Sequence, residues 1–487
     1  MSRLWLLTVR SIALSSLTLH ARVSSKNTIR VWLCVESAKD ENSAPPPKWK
    51  INGKAVTPVA LRPLAPSHKF GSTLLTGVFE ISVEDPKANY DRVSVTANGG
   101  VAELSIRRFP EAIATDTWFR ILLCSCFHQA ENRQAQVART YSNIPASERQ
   151  DLSLFMGDQV YLDLPTLNNY PDDEAQLSER FQHYYRTNWT SNLGLDALLK
   201  TSPAVFCPDD HEYWNNFPHR SPIIQNSWKQ DSRARWKNAA DQLYDAFQCA
   251  TPAVRGDNIE VDVDPVSIIV LDQRSQRQED RSATLAPDGL PQLNDWVDRL
   301  IAEKKVGAVV TGQSLLDKPV GEYKGSVADW MLPNYGDYEG IVKALQRLSD
   351  AGRPVLLLTG DVHWGRVTRV KEAGRTKFIE IICSPSSLVT TIGSDQLKNI
   401  GAGFRRFFKG EKSRWPRHSK PPDAEPFFAQ QVFGKRYRTE TIYKHTGDQF
   451  AMLALRKAAN TLEAKVTYYE IHKHPGKPRD VALGLLR

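Results

Sequence analysis

Acids, histidines and a thiol directly follow several short apolar runs of this sequence. Four segments carry them: Ser125-Cys126-Phe127-His128, Gly157-Asp158-Gln159-Val160-Tyr161, Asp209-Asp210-His211-Glu212 and Gly360-Asp361-Val362-His363. Because ligands bind at the carboxyl ends of strands in an α/β sheet, we expect the four segments to meet at one sheet edge and form a single site. Carboxylate, imidazole, thiolate and phenolate groups are all metal ligands, so the sequence predicts a metal site there.

Residues 152–163 are the most informative stretch. Their apolar start predicts a short buried strand, and Gly157 permits the sharp turn that leaves Asp158 at the strand's carboxyl end. The two oxygens of Asp158 could bridge two cations, and Tyr161 could supply a phenolate to a hard ion such as ferric iron. For this stretch alone, the alternative is a turn aspartate and a packed tyrosine.

Strands and helices alternate after residue 118. Short apolar runs predict the strands, and apolar residues at helical spacing predict the helices. We expect strands at residues 119–124, 152–156, 204–207, 266–271, 307–311, 355–359 and 378–383, and helices at 174–189, 227–249, 292–303 and 338–349. This alternation predicts a mainly parallel sheet covered on both faces, which antiparallel strands at 441–442, 450–455 and 464–471 would close.

The first 110 residues have a different pattern. Alternating apolar and polar runs at residues 28–35, 74–83 and 92–96 are separated by proline, asparagine and glycine. Short strands punctuated by turn residues predict a β-sandwich. We therefore expect an N-terminal β module at residues 1–110 and a larger domain at residues 111–487.

The chain is basic, with 63 Lys plus Arg against 55 Asp plus Glu and a net charge of +8. This charge favours phosphate-bearing or other anionic partners. No basic run is long enough to predict a dedicated nucleic-acid-binding module. Residues 404–421, rich in Arg, Lys, Phe and Pro, are expected to be an exposed loop; contact with an anionic or aromatic ligand is the alternative.

Six cysteines are too few for a disulfide scaffold in 487 residues, so a reducing compartment is expected. Residues 1–21 are apolar, but Arg10 interrupts them and the cleavage pattern is poor, so their alternation favours a first strand over a signal peptide. A cytoplasmic location is the expectation, with export as the alternative. No other segment has the length and apolarity of a membrane span.

The order of these motifs resembles the alkaline phosphatase D (PhoD-like) family of the calcineurin-like metallophosphoesterases. The resemblance rests on the four segments above, on Asn215-Asn216, and on Leu271-Asp272-Gln273-Arg274-Ser275-Gln276-Arg277, and it covers roughly residues 118–390. It implies an α/β fold, a four-layer α/β/β/α sandwich preceded by a β-sandwich module. It also implies a dinuclear metal centre, with iron in one position and calcium or another divalent cation in the other.

The resemblance also implies individual roles. Asp158 would bridge the two metals, and His211 would act as an acid or stabilise the phosphate. Iron would be bound by Cys126, Tyr161 and His363, and the second, oxygen-preferring metal by Asp210 and Asp361. This division agrees with ligand preference, because thiolate, phenolate and imidazole suit iron whereas carboxylates suit calcium.

The residues themselves leave alternatives open. Cys124 rivals Cys126, because residues two apart on a strand point to the same face. His128 is an outside candidate for a metal ligand. Asp209 could be the ligand and Asp210 its support, or the reverse.

Two further positions bear on the substrate and the second metal. Arg274 could orient a phosphate bidentately or form an ordinary salt bridge. Members of the family that it resembles carry a histidine ligand after the strand at 307–311, where this chain reads Gly312-Gln313-Ser314. The coordination of the second metal is therefore expected to differ here.

The function expected from these residues is metal-dependent hydrolysis of phosphate esters. A hydroxide on the metal pair would attack phosphorus in line without a covalent enzyme intermediate, and His211 would serve the leaving oxygen. One alternative is a phospholipase-D-like diesterase. Another is a catalytically weak protein that binds an anionic polymer and has a structural metal site.

Overall fold

The structure is a computed structural model that describes residues 16–25, 27–37, 46–83, 90–165, 169–249, 255–327, 329–387, 423–424, 437–459, 461–471 and 478–486. The first part of the predicted N-terminal strand and the basic, Phe-rich stretch at 404–421 lie outside these ranges. Across the described ranges, none of the helices combines the length and apolarity needed to cross a membrane.

The N-terminal region consists of β-strands, of which β3 and β7 alternate buried and exposed or half-buried residues. They are β1 Leu17–Arg22, β2 Thr28–Glu36, β3 Lys48–Ile51, β4 Lys54–Val56, β5 Val59–Pro66, β6 Leu74–Ser82, β7 Tyr90–Ala97 and β8 Gly100–Arg107. A buried apolar cluster fills the space between them, with Leu19, Val31 and Phe79 packed against Trp49 and Val93. The expected all-β character of this region agrees with these elements.

The central region alternates strands and helices. In chain order these are β9 Phe119–Cys124, α1 Gln136–Ser142, β10 Leu152–Met156, α2 Glu174–Thr190, α3 Asp196–Leu199, β11 Ala204–Cys207, α4 Gln230–Phe247, β12 Ile259–Val263, β13 Val266–Val270, α5 Gly289–Glu303, β14 Val306–Thr311, α6 Glu322–Val327, α7 Tyr338–Asp350 and β15 Val355–Thr359. The last strands are β16 Gly365–Glu372, β17 Arg375–Ile382, β18 Arg438–His445, β19 Gln449–Ala458, β20 Thr461–Glu470 and β21 Arg479–Leu486.

These strands form two large sheets and one small sheet within the described ranges. The first has the order β21-β20-β19-β9-β10-β11-β1-β2-β6-β5, the second β12-β13-β14-β15-β17-β16-β18, and the third β4-β3-β7-β8. The strands β9, β10 and β11 are parallel to one another, as are β13, β14, β15 and β17. The prediction of a mixed α/β fold is confirmed. The single sheet expected from the alternation of strands and helices is wrong, whereas the family resemblance implied two β layers, and that layering stays a prediction. Strand periodicity does not say which strands pair, and the antiparallel β12–β13 hairpin begins a second sheet.

The buried side chains show how the large sheets and the helices pack. One apolar cluster contains Leu123 and Leu154 of the ten-stranded sheet and Val310 and Leu358 of the seven-stranded sheet. Two further clusters contain helix residues: Phe155 and Phe206 with Phe181 of α2 and Trp236 of α4, and Val309 and Leu357 with Trp296 of α5 and Leu345 of α7. Apolar burial of this extent is the main stabilising term of the fold.

The N-terminal strands are continuous with the ten-stranded sheet. Strand β1 pairs with β11 in parallel at Arg22 and Ala204. The buried Arg22 guanidinium donates to Phe247 O at 2.9 Å and lies 5.0 Å from the ring centre of Phe206. The domain boundary at residue 110 stays a prediction.

Candidate metal centre

The carboxyl ends of β9, β10 and β15 lie against one another, although β15 belongs to the other sheet. The Cys126 N–H donates to Gly157 O at 3.1 Å, which joins the turns after β9 and β10. A Cβ atom on Gly360 would lie 1.9 Å from Met156 O. Only glycine therefore permits the end of β15 to approach the end of β10 this closely.

The four predicted segments bring their donor atoms together. Donor atoms within 4.8 Å of one another form three overlapping groups: Cys126, Asp158, Asp361 and His363; Asp158, Asp210 and His211; and Asp209, Asp210 and Asp361. Asp158 belongs to the first two groups, and Asp361 belongs to the first and third. An aspartate shared in this way can contact cations in two adjacent positions.

Four of these donors have a left-handed backbone. The φ angles are 52° at Cys126, 58° at Asp158, 51° at Asp361 and 61° at His363. This conformation is uncommon for residues other than glycine and costs roughly 1 kcal/mol each. Such residues cluster at functional sites, where the surrounding fold holds them in place.

Glu212 fixes the turns that carry Asp158 and Asp209. Its carboxylate accepts backbone N–H groups from Asp158 at 3.0 Å, Gln159 at 2.7 Å and Asp209 at 2.9 Å. Burial raises the pKa of Glu212 to about 7, although these hydrogen bonds oppose the rise. This single buried carboxylate therefore ties the end of β10 to the end of β11.

The thiol and the phenol that were predicted to bind iron both lie beside Asp158. Cys126 Sγ is 3.5 Å from Asp158 Oδ2 and accepts a hydrogen bond from the Ser384 hydroxyl at 3.1 Å. The Tyr161 hydroxyl donates to the same Asp158 oxygen at 3.4 Å. Burial raises the pKa of Cys126 and of Tyr161 well above the ordinary values, and neighbouring negative charges add to both shifts.

His211 is held by Asp163. Its Nδ1 lies 2.8 and 3.0 Å from the two Asp163 carboxylate oxygens, which leaves Nε2 as the second ring nitrogen. Burial lowers the pKa of His211, but Asp163, Asp210 and Asp158 outweigh burial and raise it well above 6.5. Asp163 therefore fixes the ring and favours its protonated form.

The two adjacent aspartates after β11 both reach the cluster. Asp210 Oδ2 accepts the Asn216 N–H at 2.7 Å, and Asp209 Oδ1 accepts Arg274 Nε at 2.5 Å. Asp209 Oδ2 is buried and has no hydrogen-bond partner among the described residues. The choice between Asp209 and Asp210 as a ligand therefore stays open, because both carboxylates belong to one group with Asp361.

Arg274 is fully engaged by protein atoms. Besides Asp209, it donates through Nη1 to Phe217 O at 2.8 Å and through Nη2 to Asp329 Oδ2 at 2.7 Å. The side chain is buried, with 1% of its surface exposed. Two roles were considered for Arg274, phosphate binding and an ordinary salt bridge. The structure shows salt bridges to Asp209 and Asp329.

Gln313 follows β14 at the position where a histidine ligand was expected in related sequences. Its Nε2 donates to Asp329 Oδ2, and its Oε1 accepts Arg277 Nη2 at 3.1 Å. Asp329 is thus shared by Arg274 and Gln313. The amide is part of a hydrogen-bonded charge network next to the acidic groups.

The two rival ligand candidates lie outside the donor groups found among the described residues. Cys124 is buried in the apolar cluster that also contains Phe155 and Phe206. His128 packs beside Tyr161, with ring centres 5.5 Å apart, and burial lowers its pKa to about 4. The alternation of β9 places Cys124 in the core, and the left-handed turn at Cys126 directs that thiol to the cluster.

The donor set fits cations. Burial raises the pKa values of Asp158 and Asp361 well above the ordinary range, and the other aspartates of the cluster raise them further. Positive charge between these carboxylates would favour their ionised forms. The same donors include oxygen atoms for a hard ion together with sulfur and imidazole nitrogen for a transition metal.

Three supporting acids were not assigned a role from sequence: Asp163, Glu212 and Asp329. Glu212 is the last residue of the predicted segment Asp209-Asp210-His211-Glu212, and Asp163 is the last residue of the stretch 152–163. Both therefore lie within segments that the sequence pattern singled out. Asp329 had no motif around it. A half-buried acid that pairs two arginines cannot be identified from residue spacing.

A family model described as PhoD-like phosphatase matches residues 121–414, which is more than half of the chain. No curated protein sequence matches. Among solved structures, an amylomaltase from Corynebacterium glutamicum aligns with 71% of this chain and 45% of its own length, at 12% identity and a TM-score of 0.15. The chain thus spans less than half of that structure, and a likeness this low carries no argument. The matched region holds every donor of the cluster, and the chain belongs to the PhoD-like phosphatase family.

Proposed function

We propose that this protein is a metal-dependent phosphoesterase that hydrolyses phosphate esters at the cluster of strand ends. The observation that carries the proposal is the convergence of Cys126, Asp158, Asp361 and His363, with donor atoms within 4.8 Å of one another. These residues are separated by up to 237 positions in a chain whose family is described as phosphatases. Acids and a thiol buried together without compensating charge are costly, so a function is expected.

The proposed ligand assignment divides the donors between two cations. Asp158, Asp210 and Asp361 each belong to two of the three donor groups, and of these Asp158 would be the shared ligand, because it lies both with Cys126 and His363 and with Asp210. Iron would be held by Cys126, Tyr161 and His363, and calcium or another oxygen-preferring ion by Asp210 and Asp361. When bound, such a pair supplies a nucleophile at neutral pH and stabilises charge on the phosphate oxygens.

The protein's own residues would position the ester and handle the proton. His211, oriented by Asp163 through Nδ1, would use Nε2 to stabilise the phosphate or to protonate the leaving oxygen. Arg274 would act as a positioning residue for Asp209, since its guanidinium is already occupied by Asp209, Phe217 and Asp329.

For the architecture, we propose the four-layer α/β/β/α arrangement for residues 111–487, preceded by the β-sandwich module of residues 1–110. In support, one apolar cluster contains side chains of both large sheets, and separate clusters contain α2 and α4 or α5 and α7. The continuity of β1 with β11 means that the module would share a sheet with the larger domain.

A matched pair of cysteine variants tests the proposal. Cys126→Ala should lower both the iron content and the hydrolysis of p-nitrophenyl phosphate by about tenfold or more, because it removes a proposed ligand. Cys124→Ala removes a buried thiol two residues earlier, in the apolar core, and should keep the metal content of the wild type. The measurements are elemental analysis of the purified proteins and initial rates after reconstitution with iron and calcium, singly and together.

The two other functions considered predict different results. A phospholipase-D-like diesterase would favour lipid and other diesters over monoesters in a substrate panel. Bound metal with no turnover of any ester would instead favour the anionic-polymer-binding protein. Equal metal content and equal rates in the two cysteine variants would contradict the proposed centre.

A further inference from the structure

An open aromatic cavity lies beside the metal centre. It has a volume of about 520 Å³ and is lined by His219, Arg220, Trp228 and Trp330, together with Ser221 and Pro222. Volumes of this size hold small organic ligands. None of these side chains has a role in the proposed chemistry.

Two chains of contacts connect this aromatic cavity to the donor atoms. Trp330 follows Asp329, whose carboxylate binds Arg274, which in turn binds Asp209. On the other side, the His219 N–H donates to Asn216 O at 2.8 Å, and the Asn216 N–H donates to Asp210 Oδ2 at 2.7 Å. The cavity is therefore linked to the acidic cluster through the side chains of Asp329 and Arg274 on one side and through the backbone of Asn216 on the other.

Both tryptophan rings are held in place by the protein. Trp330 is 5% exposed, and the guanidinium of Arg281 lies 4.1 Å from its ring centre. Trp228 is 51% exposed, yet its indole Nε1 donates to Ser221 O at 2.8 Å. A large exposed aromatic ring with its polar atom already bonded offers only its face to a ligand.

We propose that the aromatic cavity binds the alcohol portion of the phosphate ester, and that this portion carries an aromatic ring of nucleobase size. The inference rests on the proposed function, because it names the substrate class of that same site. The ring would stack on Trp228 and face Trp330, while the phosphate reaches the acidic cluster.

The rest of the lining agrees with a polar aromatic ring. Burial lowers the pKa of His219 to about 4, so its imidazole is neutral at pH 7 and can exchange hydrogen bonds without charge. Arg220 is exposed. These two polar groups can contact the ring nitrogens and oxygens of a nucleobase, while the tryptophan rings offer an apolar face.

Two pairs of probes test this inference. The first pair, AMP and ribose 5-phosphate, differs only in the base and is compared by kcat/KM with the metal-loaded protein. The second pair, adenosine and ribose, contains no ester and is compared by saturation-transfer NMR. We expect a preference of about tenfold for AMP, and saturation transfer to the adenine protons but not to ribose.

The variants distinguish the loss of ring stacking from a general loss of structure. Trp228→Ala should remove the AMP preference and the adenine signal, whereas Trp228→Phe should restore part of both. Trp118→Ala is the control, because Trp118 packs against Arg456 just before β9, at the opposite end of that strand from the donors. It should leave both readouts unchanged.

The outcomes distinguish the two proposals. Hydrolysis of both esters at equal efficiency, with no adenine signal, would contradict nucleobase binding in the aromatic cavity but would support the phosphoesterase. An adenine signal lost in Trp228→Ala, without hydrolysis of either ester, would support the cavity and count against the phosphoesterase. An adenine signal that persists in Trp228→Ala would also overturn the cavity proposal.

Discussion

The strand ends around the site carry two kinds of chemistry, metal-ligand donors and a charge network. In the ten-stranded sheet, β9, β10 and β11 are followed by Cys126, Asp158 and Asp210, which all contribute donor atoms to the cluster. In the seven-stranded sheet, β13 and β14 are followed by Arg274 and Gln313, which belong to a charge network. Strand β15 of the same sheet is followed by Asp361 and His363, which are donors. The donors therefore follow β9, β10, β11 and β15, whereas β13 and β14 are followed by groups of the network that holds Asp209.

The pKa values of Asp209 and Asp361 show how the charge network affects the acids of the cluster. Burial raises the pKa of Asp209, but the Arg274 guanidinium opposes the rise and leaves the pKa at about 6. Burial raises the pKa of Asp361 well above its ordinary value, and Asp209 and Asp158 raise it further. The Arg274 guanidinium compensates the negative charge of Asp209, whereas the negative charge of Asp361 needs positive charge from another source. Bound cations would supply it.

The largest effect is expected from Asp158→Asn. This change keeps the side-chain shape but removes the negative charge shared by two donor groups. The value of kcat/KM for p-nitrophenyl phosphate should fall at least a hundredfold, with loss of bound metal and an unchanged circular dichroism spectrum. Activity like that of the wild type in this variant would refute the shared role of Asp158.

Arg274→Lys tests the other side of the comparison. Lysine keeps the charge but cannot hold Asp209 and Asp329 with a planar fork, so we expect kcat to fall by about ten- to a hundredfold with weaker metal binding. Arg233→Lys is the control, because its ion pair with Glu279 lies at the surface. If KM rises while kcat and metal content stay constant, Arg274 binds phosphate instead.

Gly360→Ala should separate the two sheets where their ends touch. The added Cβ would meet Met156 O at 1.9 Å, so we expect a loss of stability of about 1 to 3 kcal/mol, measured by denaturant unfolding. Gly321→Ala adds the same atom in open space and should change the stability little. Equal stability of the two variants would show that the contact at Gly360 is relaxed in solution.

The sequence predicted individual elements well and their pairing poorly. The bounds of β9, β10 and β11 are those expected, and α2 differs by one residue, because apolar periodicity is a local signal. Strands β3, β4, β5, β8, β12, β16 and β21 were not predicted. The alternation of strands and helices did not give the division into two sheets, which only the family resemblance implied, because pairing depends on contacts between distant segments.

At the candidate site, too, features that depend on neighbouring residues were predicted from the sequence, and features that depend on distant segments were not. Residue type and position at strand ends predicted that the four segments meet, and the resemblance predicted Cys126, Asp158 and His363 as ligands; the structure brings their donor atoms together. Their left-handed backbone could not be predicted, because sterics disfavour it for these residue types and only the surrounding fold imposes it. The network of Asp329 with Arg274 and Arg277 likewise depends on segments about 50 residues apart.

The smallest effect on turnover is expected from Tyr161→Phe, since it removes one oxygen and leaves Cys126, Asp158 and His363 in place. If Tyr161 binds ferric iron, the purified protein has a visible charge-transfer band that this variant loses, while kcat/KM falls less than about tenfold. Tyr141→Phe is the control, because that buried hydroxyl donates to Gln150 Oε1 at 2.9 Å and has no contact with the cluster. Iron-loaded wild-type protein without such a band would exclude Tyr161 as a ligand. The hydroxyl, 3.4 Å from Asp158 Oδ2, would then serve only to hold that carboxylate.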